Sequence, residues 1–237
     1  MAITIKSERE IELMAEAGKI LERVHNELEK ALRPGMSTKD IDTLGEEIIR
    51  SYACIPSFLN YNGYPASICV SVNQEVVHGI PDKHRIIREG DIVSLDAGVI
   101  YKGYHSDAAR THAVGEVSEE AKKLIQVTKE CFFEGIKYAK AGNHLFDISG
   151  AIGRYAEGRG YGVVRDLCGH GIGTALHEAP EIPNYEVGRK GVKLRPGMTL
   201  AIEPMINIGT YEVDWLDDDW TVVTRDGSLS AHYENTI

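Results

Sequence analysis

The run LCGHGIGTALHE, residues 167–178, sets His170 between Gly169 and Gly171 and places His177 and Glu178 seven and eight residues further on. Four acids elsewhere sit in apolar, strand-like stretches: Asp96 in SLDAG, Asp107 in HSDAA, Glu203 in AIEPM and Glu234 in HYENT. Any one of them alone reads as an exposed acid, the usual fate of Asp and Glu. Four carboxylates brought together in one core would repel and take up protons unless cations neutralised them. No Lys or Arg stands inside the four motifs, although Arg110 is near. Two divalent ions would cancel the four charges, so a dinuclear site is expected, with carboxylates bridging ions about 3.5–4 Å apart. His170 is the candidate nitrogen ligand, and its flanking glycines are expected to let the backbone turn tightly beside the cluster. Oxygen-rich coordination with one imidazole suits Mn, Fe, Co or Zn and lacks the thiolates of a structural zinc site.

Strands must carry these side chains to one place. Residues 91–114 read as a hairpin turning at Lys102-Gly103,. With a two-residue loop, alternation puts Asp96 and Asp107 on one face, opposite or one diagonal apart. Glu203 precedes Pro204, which favours extended geometry and a strand end or bulge. Residues 229–237 read as a strand with Ser230, His232, Glu234 and Thr236 on one face,. Residues 8–32 read as a helix capped by Ser7, with Ile11, Met14, Leu21, Val24 and Leu28 on its apolar stripe and Pro34-Gly35 at its end. STKD (37–40) is a capping box with Ser37 at the N-cap. Residues 118–140 form a further helical run, ended by Gly142.

Laid against itself, the chain repeats. RPGMSTKDI (33–41) matches KAGNHLFDI (140–148), and IREGDIVSLD (87–96) matches LRPGMTLAIE (194–203), both at an offset of 107. A shared offset marks a duplication, with pseudo-repeats of roughly 1–115 and 116–237 in one catalytic domain. It aligns Asp96 with Glu203, which are expected to face each other across a pseudo-twofold axis.

Composition narrows the class. A chain of 237 residues, 43% hydrophobic and 26% charged, has the make-up of an ordinary globular protein,. A formal net charge of −10 argues against a nucleic-acid or membrane-surface role,. Cys54, Cys69, Cys131 and Cys168 form no CxxC pair and fit a reducing compartment,. The start lacks the apolar core of a signal peptide, and no uncharged apolar run nears the roughly 20 residues of a membrane span. A cytoplasmic protein without an N-terminal extension is expected. GHGIG lacks the lysine of a phosphate loop, and a Cys168–His170 nucleophile pair lacks an orienting partner.

HGIP (78–81), SLDAG (94–98), HSDAAR (105–110), GHGIG (169–173), AIEPM (201–205) and SAHYENTI (230–237), in this order and spacing, resemble the type I methionine aminopeptidases over essentially the whole chain. The resemblance implies an α/β (α+β) pita-bread fold, two pseudo-twofold halves with a curved antiparallel sheet backed by helices. It implies two divalent metal ions, one on Asp96, the other on His170 and Glu203, with Asp107 and Glu234 bridging. The implied reaction removes the initiator methionine from nascent polypeptides whose second residue is small. Glu203 would shuttle the proton, His177 would hold the scissile carbonyl, and His78 would contact the leaving peptide nitrogen. Tyr61, Tyr64, Cys69 and Trp220 would wall the methionine pocket, whose aromatic rings and sulfur suit a thioether. Leu176 stands where many members carry a bulky aromatic, so a changed pocket shape is expected. Proline-specific and creatinase-like relatives carry an extra domain for which the chain has no room. The type II enzymes carry a long insertion before the final strands, whereas His177 and Glu203 are only 26 residues apart. Non-enzymatic relatives have lost ligands that are all present here. A monomer is expected, with transient ribosome contact through the catalytic domain's surface, no nucleic-acid substrate and no membrane partner.

Overall fold

Ser7 opens the first helix as its spacing predicts: its hydroxyl accepts from the Glu10 N–H, and the Glu10 carboxylate accepts from the Ser7 N–H at 2.7 Å. The structure, a computed structural model, describes residues 2–237. Helix α1 spans Glu8–Ala31, and α2 (Thr38–Ser51) begins with the same reciprocal bonds between Ser37 and Asp40. Of the expected stripe, Met14, Leu21, Val24 and Leu28 are buried, but Ile11 stays 39% exposed. It lies in the first turn, where capping bonds hold the helix without burial.

Strands β1 (Ile55–Pro56), β2 (Ile68–Val72) and β3 (Glu75–Val77) lead into the long hairpin of β4 (Ile92–Tyr101) and β5 (Tyr104–Ala113). Two helices follow, α3 (Glu119–Ile136) and α4 (Leu145–Glu157), then β6 (Gly162–Val163), β7 (Gly169–Gly171) and β8 (Glu178–Ile182). The chain closes with β9 (Leu200–Ile202), β10 (Met205–Asn207), β11 (Val213–Trp215), β12 (Val222–Thr224), β13 (Ser230–His232) and β14 (Asn235–Thr236). Helix α3 stops well before Gly142, because Tyr138 and Ala139 donate to the carbonyls of Gly135 and Ile136 in tight turns.

All pairing is antiparallel, in four ladders: β1-β4-β2 with β5 on β4, β13-β10-β6, β11-β12-β3, and β14-β9-β7-β8. One core lies between α1, α2 and the strands of the first half, and a second between α3, α4 and the strands of the second half. The backbone repeats as the sequence does. Gly35 donates to Ile87 O at 2.8 Å and Gly142 to Leu194 O at 3.1 Å, each residue displaced from its counterpart by 107. The same displacement relates the bridge Ser37–Ile86 to His144–Lys193, and Gly35 (φ +91°) to Gly142 (φ +97°). These are the two similar halves of the pita-bread fold. Among the described residues, no helix is long and apolar enough to cross a membrane.

Two expectations need correction. The glycines around His170 do not form a turn; Gly169–Gly171 is strand β7, flanked by β8 and β9. A Cβ on Gly169 would lie 2.4 Å from Ala201 O, and one on Gly171 2.2 Å from Ala179 O, so glycine is required by close neighbouring backbone. Gly171→Ala should therefore cost about 1–3 kcal/mol, as overpacking does. Thermal unfolding reads this as a lowered Tm, and an unchanged Tm would contradict it.

The final segment, in turn, is not one strand. It breaks at Tyr233-Glu234, opposite the break at Glu203-Pro204, because proline cannot donate to the ladder,. Its alternation also fails to separate core from solvent, since Ser230, Ala231 and His232 are all buried.

Candidate metal centre

The ladders bring the five expected ligands together through their registers. In the β4–β5 hairpin Asp96 pairs with Ala109, and Asp107 with Gly98. Asp96 and Asp107 therefore share a face as diagonal neighbours. The turn is Lys102-Gly103, both at positive φ (+50° and +87°), the conformation of a tight hairpin turn,. Ala109 and Glu234 exchange backbone hydrogen bonds of 3.3 and 3.0 Å, which stitches the first half to the C-terminal segment. Met205 pairs with His232 and Ile202 with Asn235, so the register on both sides sets Glu203 opposite Glu234. His170 pairs with Ala201, two residues from Glu203. A row of side chains from four separate stretches of chain thus converges on one face.

The donor atoms are spaced for an ion rather than for one another. Asp107, His170 and Glu234 offer ligand atoms all within 4.8 Å of each other. His170 Nε2 lies 3.6 Å from Glu203 Oε1 and 4.0 Å from Asp107 Oδ2, too far for hydrogen bonds,. Donors around one ion with bonds of about 2.1 Å stand about 3–4.2 Å apart. Asp96 reaches Asp107 closely enough for their carboxyls to hydrogen-bond when one is protonated. His170 Nδ1 lies 2.8 Å from Gly171 O, and since a carbonyl only accepts, Nδ1 carries the proton,. Nε2 is left with its lone pair toward the acids, as in metal-bound histidines.

The electrostatics agree. Burial first, and neighbouring acids second, hold Asp107 and Glu234 well above the usual carboxylate range. Glu203 is raised by burial and then by the Asp96 charge, and burial pushes Asp96 up to about 7. One oxygen on each of Asp96, Asp107 and Glu234 is buried with no hydrogen-bond partner. Buried unpaired carboxylates cost several kcal/mol each. A divalent cation satisfies these oxygens, so the donor set fits the metal. Arg110 forms no ion pair with these acids, only lowering the Glu234 pKa by its charge: its guanidinium bonds the backbone carbonyls of Ala109 and Glu234 and the Asn235 side chain.

A cavity of about 240 Å³ opens from the acids and is lined by every expected site residue, including His78, His177, Tyr61, Tyr64, Cys69, Leu176 and Trp220. Tyr64, Cys69 and Leu176 are buried in one apolar cluster with Phe58, and Tyr61 and Trp220 pack against it. Cys69 pairs across the ladder with Asp96, so the apolar slot begins beside the acids. Tyr64 stacks edge-on against Trp220 at 5.1 Å. His177, at the exposed mouth, lies 4.1 Å from His170 between ring centres, and its Nδ1 is 2.7 Å from the Tyr61 hydroxyl. His78 stands edge-on to Trp220 at 6.3 Å with φ +59°, a left-handed conformation rare outside glycine,. The Gly79 that follows fits only without a Cβ, which would meet Val70 O at 2.5 Å. Burial, then the neighbouring His177, lowers the His78 pKa to about 4, so its imidazole is neutral.

Sequence reasoning missed several members. Met205 lines the cavity from the same AIEPM motif as Glu203, and Cys168, dismissed as a nucleophile, lines it too. Buried His232 places Nε2 3.9 Å from Glu234 Oε2. Its alternation with Glu234 was a visible signal.

A profile of metallopeptidase family M24 matches residues 12–237. The chain is 59% identical over 235 residues to a methionine aminopeptidase of Clostridium acetobutylicum, covering 99% of this chain and 94% of the relative. It is 50% identical over 235 residues to methionine aminopeptidase 1 of Bacillus subtilis, at 99% and 94% coverage. The crystal structure of a methionine aminopeptidase from Thermotoga maritima superposes with a TM-score of 0.97 at 47% identity, covering 100% of this chain and 95% of that one.

Proposed function

The chain belongs to metallopeptidase family M24, and from that premise we propose how its cavity removes N-terminal methionine from peptides and nascent proteins. The enzyme is a metal-dependent aminopeptidase, as are its near full-length relatives by name. The observation that carries the reading is the set of four carboxylates and one imidazole, with orphaned oxygens, at the foot of an apolar slot. The site takes two divalent ions, of Co, Mn, Fe or Zn. Asp96, Asp107, His170, Glu203 and Glu234 are the residues that would hold them. Bound there, the ions supply Lewis-acid polarisation and lower the pKa of a water molecule.

The protein's own groups do the rest. The slot of Tyr61, Tyr64, Cys69, Leu176 and Trp220 takes the methionine side chain. Buried Leu176 is smaller than an aromatic and leaves that wall wider. With His177 as the Nε2–H tautomer, Nδ1 accepts from the Tyr61 hydroxyl and Nε2–H is the donor to the scissile carbonyl and the negative charge that grows on it,. Neutral His78 bonds the leaving peptide nitrogen. Glu203 takes a proton from the attacking water and passes it to the departing amine.

One catalytic domain with pseudo-repeats of roughly 1–115 and 116–237 carries this site, supported by the two cores and the repeated backbone bonds. The enzyme acts as a cytoplasmic monomer with transient ribosome contact through the domain's surface, since its substrates are nascent chains. Hydrolysis of Met-Ala-Ser with the second residue varied tests the reading. Turnover is expected for Ala, Gly or Ser at the second position and to fail for Leu or Lys. Cleavage indifferent to the first residue, or none in the metal-loaded enzyme, would overturn it.

A further inference from the structure

A second, partly buried charge cluster lies behind the loop that carries His177, and the mechanism does not use it. Lys6 Nζ meets Glu178 Oε2 at 2.5 Å, with side-chain exposures of 6% and 13%. Lys6 also donates to Thr4 Oγ1 at 3.0 Å, and Thr4 donates to the same Glu178 oxygen. The other oxygen, Oε1, accepts from the Ala175 N–H at 3.3 Å. Burial opposes ionisation of Glu178, but the bonds from Lys6, Thr4 and Ala175 hold its carboxyl below the usual range.

The pair is wedged against the loop. A Cβ on Gly173 would lie 2.4 Å from Glu178 Oε1 and 2.5 Å from Lys6 Cε. Gly173 O accepts from His105 N at 2.8 Å, and Gly173 N donates to Ala175 O at 3.0 Å. From the other side, Lys6 N donates to Gly197 O at 2.7 Å, which ties the N-terminal segment to the turn before β9. His177 adjoins Glu178; its ring meets His170 and the Tyr61 hydroxyl, and the loop backbone that Glu178 anchors sets the direction from which it reaches them. A buried ion pair is an expensive way to gain stability, since an apolar pair of the same size often serves as well or better. It does fix geometry, because Glu178 accepts from Lys6, Thr4 and Ala175 at once and so ties the loop to the N-terminal segment.

We propose that the Lys6–Glu178 pair is a positioning device that holds loop 172–177, and with it the His177 imidazole, in register with the metal-binding side chains. The role rests on the reading of His177 given above. Lys6 does not line the cavity and acts through the loop.

A double-mutant cycle on the metal-loaded enzyme tests it, with Met-Ala-Ser as substrate. Lys6→Met should lower kcat about tenfold, the scale of a small misplacement of a catalytic group, with KM little changed. Lys6→Arg should restore most of the loss. In a His177→Ala background the same Lys6→Met change should alter kcat less than about twofold, because the group it positions is gone. Should Lys6→Met not fold, the pair Lys6→Met/Glu178→Gln, which removes both charges, takes its place. Equal losses in both backgrounds, or a lowered Tm with kcat unchanged, would overturn the proposal. Undiminished turnover in His177→Ala alone would instead sink the reading of His177.

Discussion

Glu203→Gln should lower kcat by about 10²–10⁴-fold while leaving KM within a few-fold, the cost of losing a positioned proton carrier. Two observations single out Glu203 among the acids. It is the most exposed of the four, with its side chain 14% accessible, so water and substrate can reach it. It ends a strand before Pro204, and the Asn184 side-chain amide donates to its carbonyl at 3.0 Å, which fixes its backbone. The glutamine amide keeps an oxygen that can ligate but cannot carry a proton. Metal content of the variant, measured by atomic emission, should therefore stay near that of the parent. A fully metallated variant with near-normal kcat would remove Glu203 from this role.

Thorough chelation should abolish hydrolysis, and the metal-free chain should then lose stability as pH rises. The sign follows from Asp96. Its unfolded value is about 3.9, while burial lifts the folded value to about 7. The folded chain thus binds more protons over this interval, and stability falls with pH wherever that holds. The contribution is fully present below about pH 4 and is lost as pH climbs through about 7. Asp107, Glu203 and Glu234 are raised in the same sense and extend the trend upward. Re-added Mn or Co should restore turnover and lift Tm most at pH 8, where no proton competes for the carboxylates. Calorimetry of the chelated protein at pH 5 and pH 8 reads the effect, and Asp96→Asn should flatten it. A chelated chain equally stable at both values, in parent and variant alike, would contradict the electrostatic account.

Much of the site was legible because strand alternation and proline are local rules. The two-residue turn at Lys102-Gly103 fixed the parity of Asp96 and Asp107, and the diagonal placement follows from it. Pro204 marked the end of β9 beside Glu203. The offset of 107 appears again in backbone hydrogen bonds, since like sequences around Gly35 and Gly142 make like turns. The glycines around His170 misled because glycine has two uses: they suggested a turn, yet close neighbouring strands are what require them. The terminal strand misled for a related reason. Its break at Tyr233-Glu234 answers a break in a partner strand some thirty residues upstream.

The sequence by itself determined the strand-borne acids to expect together, the repeat that pairs Asp96 with Glu203 and the caps that start the first helices. Each of these depends on neighbours a few residues apart or on direct self-comparison. Only the tertiary structure decided that Ala109 and Glu234 join the halves, that His170 Nε2 faces the acids, and that Lys6 reaches Glu178 across the fold. Such contacts arise from the packing of two cores and from register between distant strands. No local propensity encodes them, and a slip of one residue in any of those registers would turn a ligand away from the site.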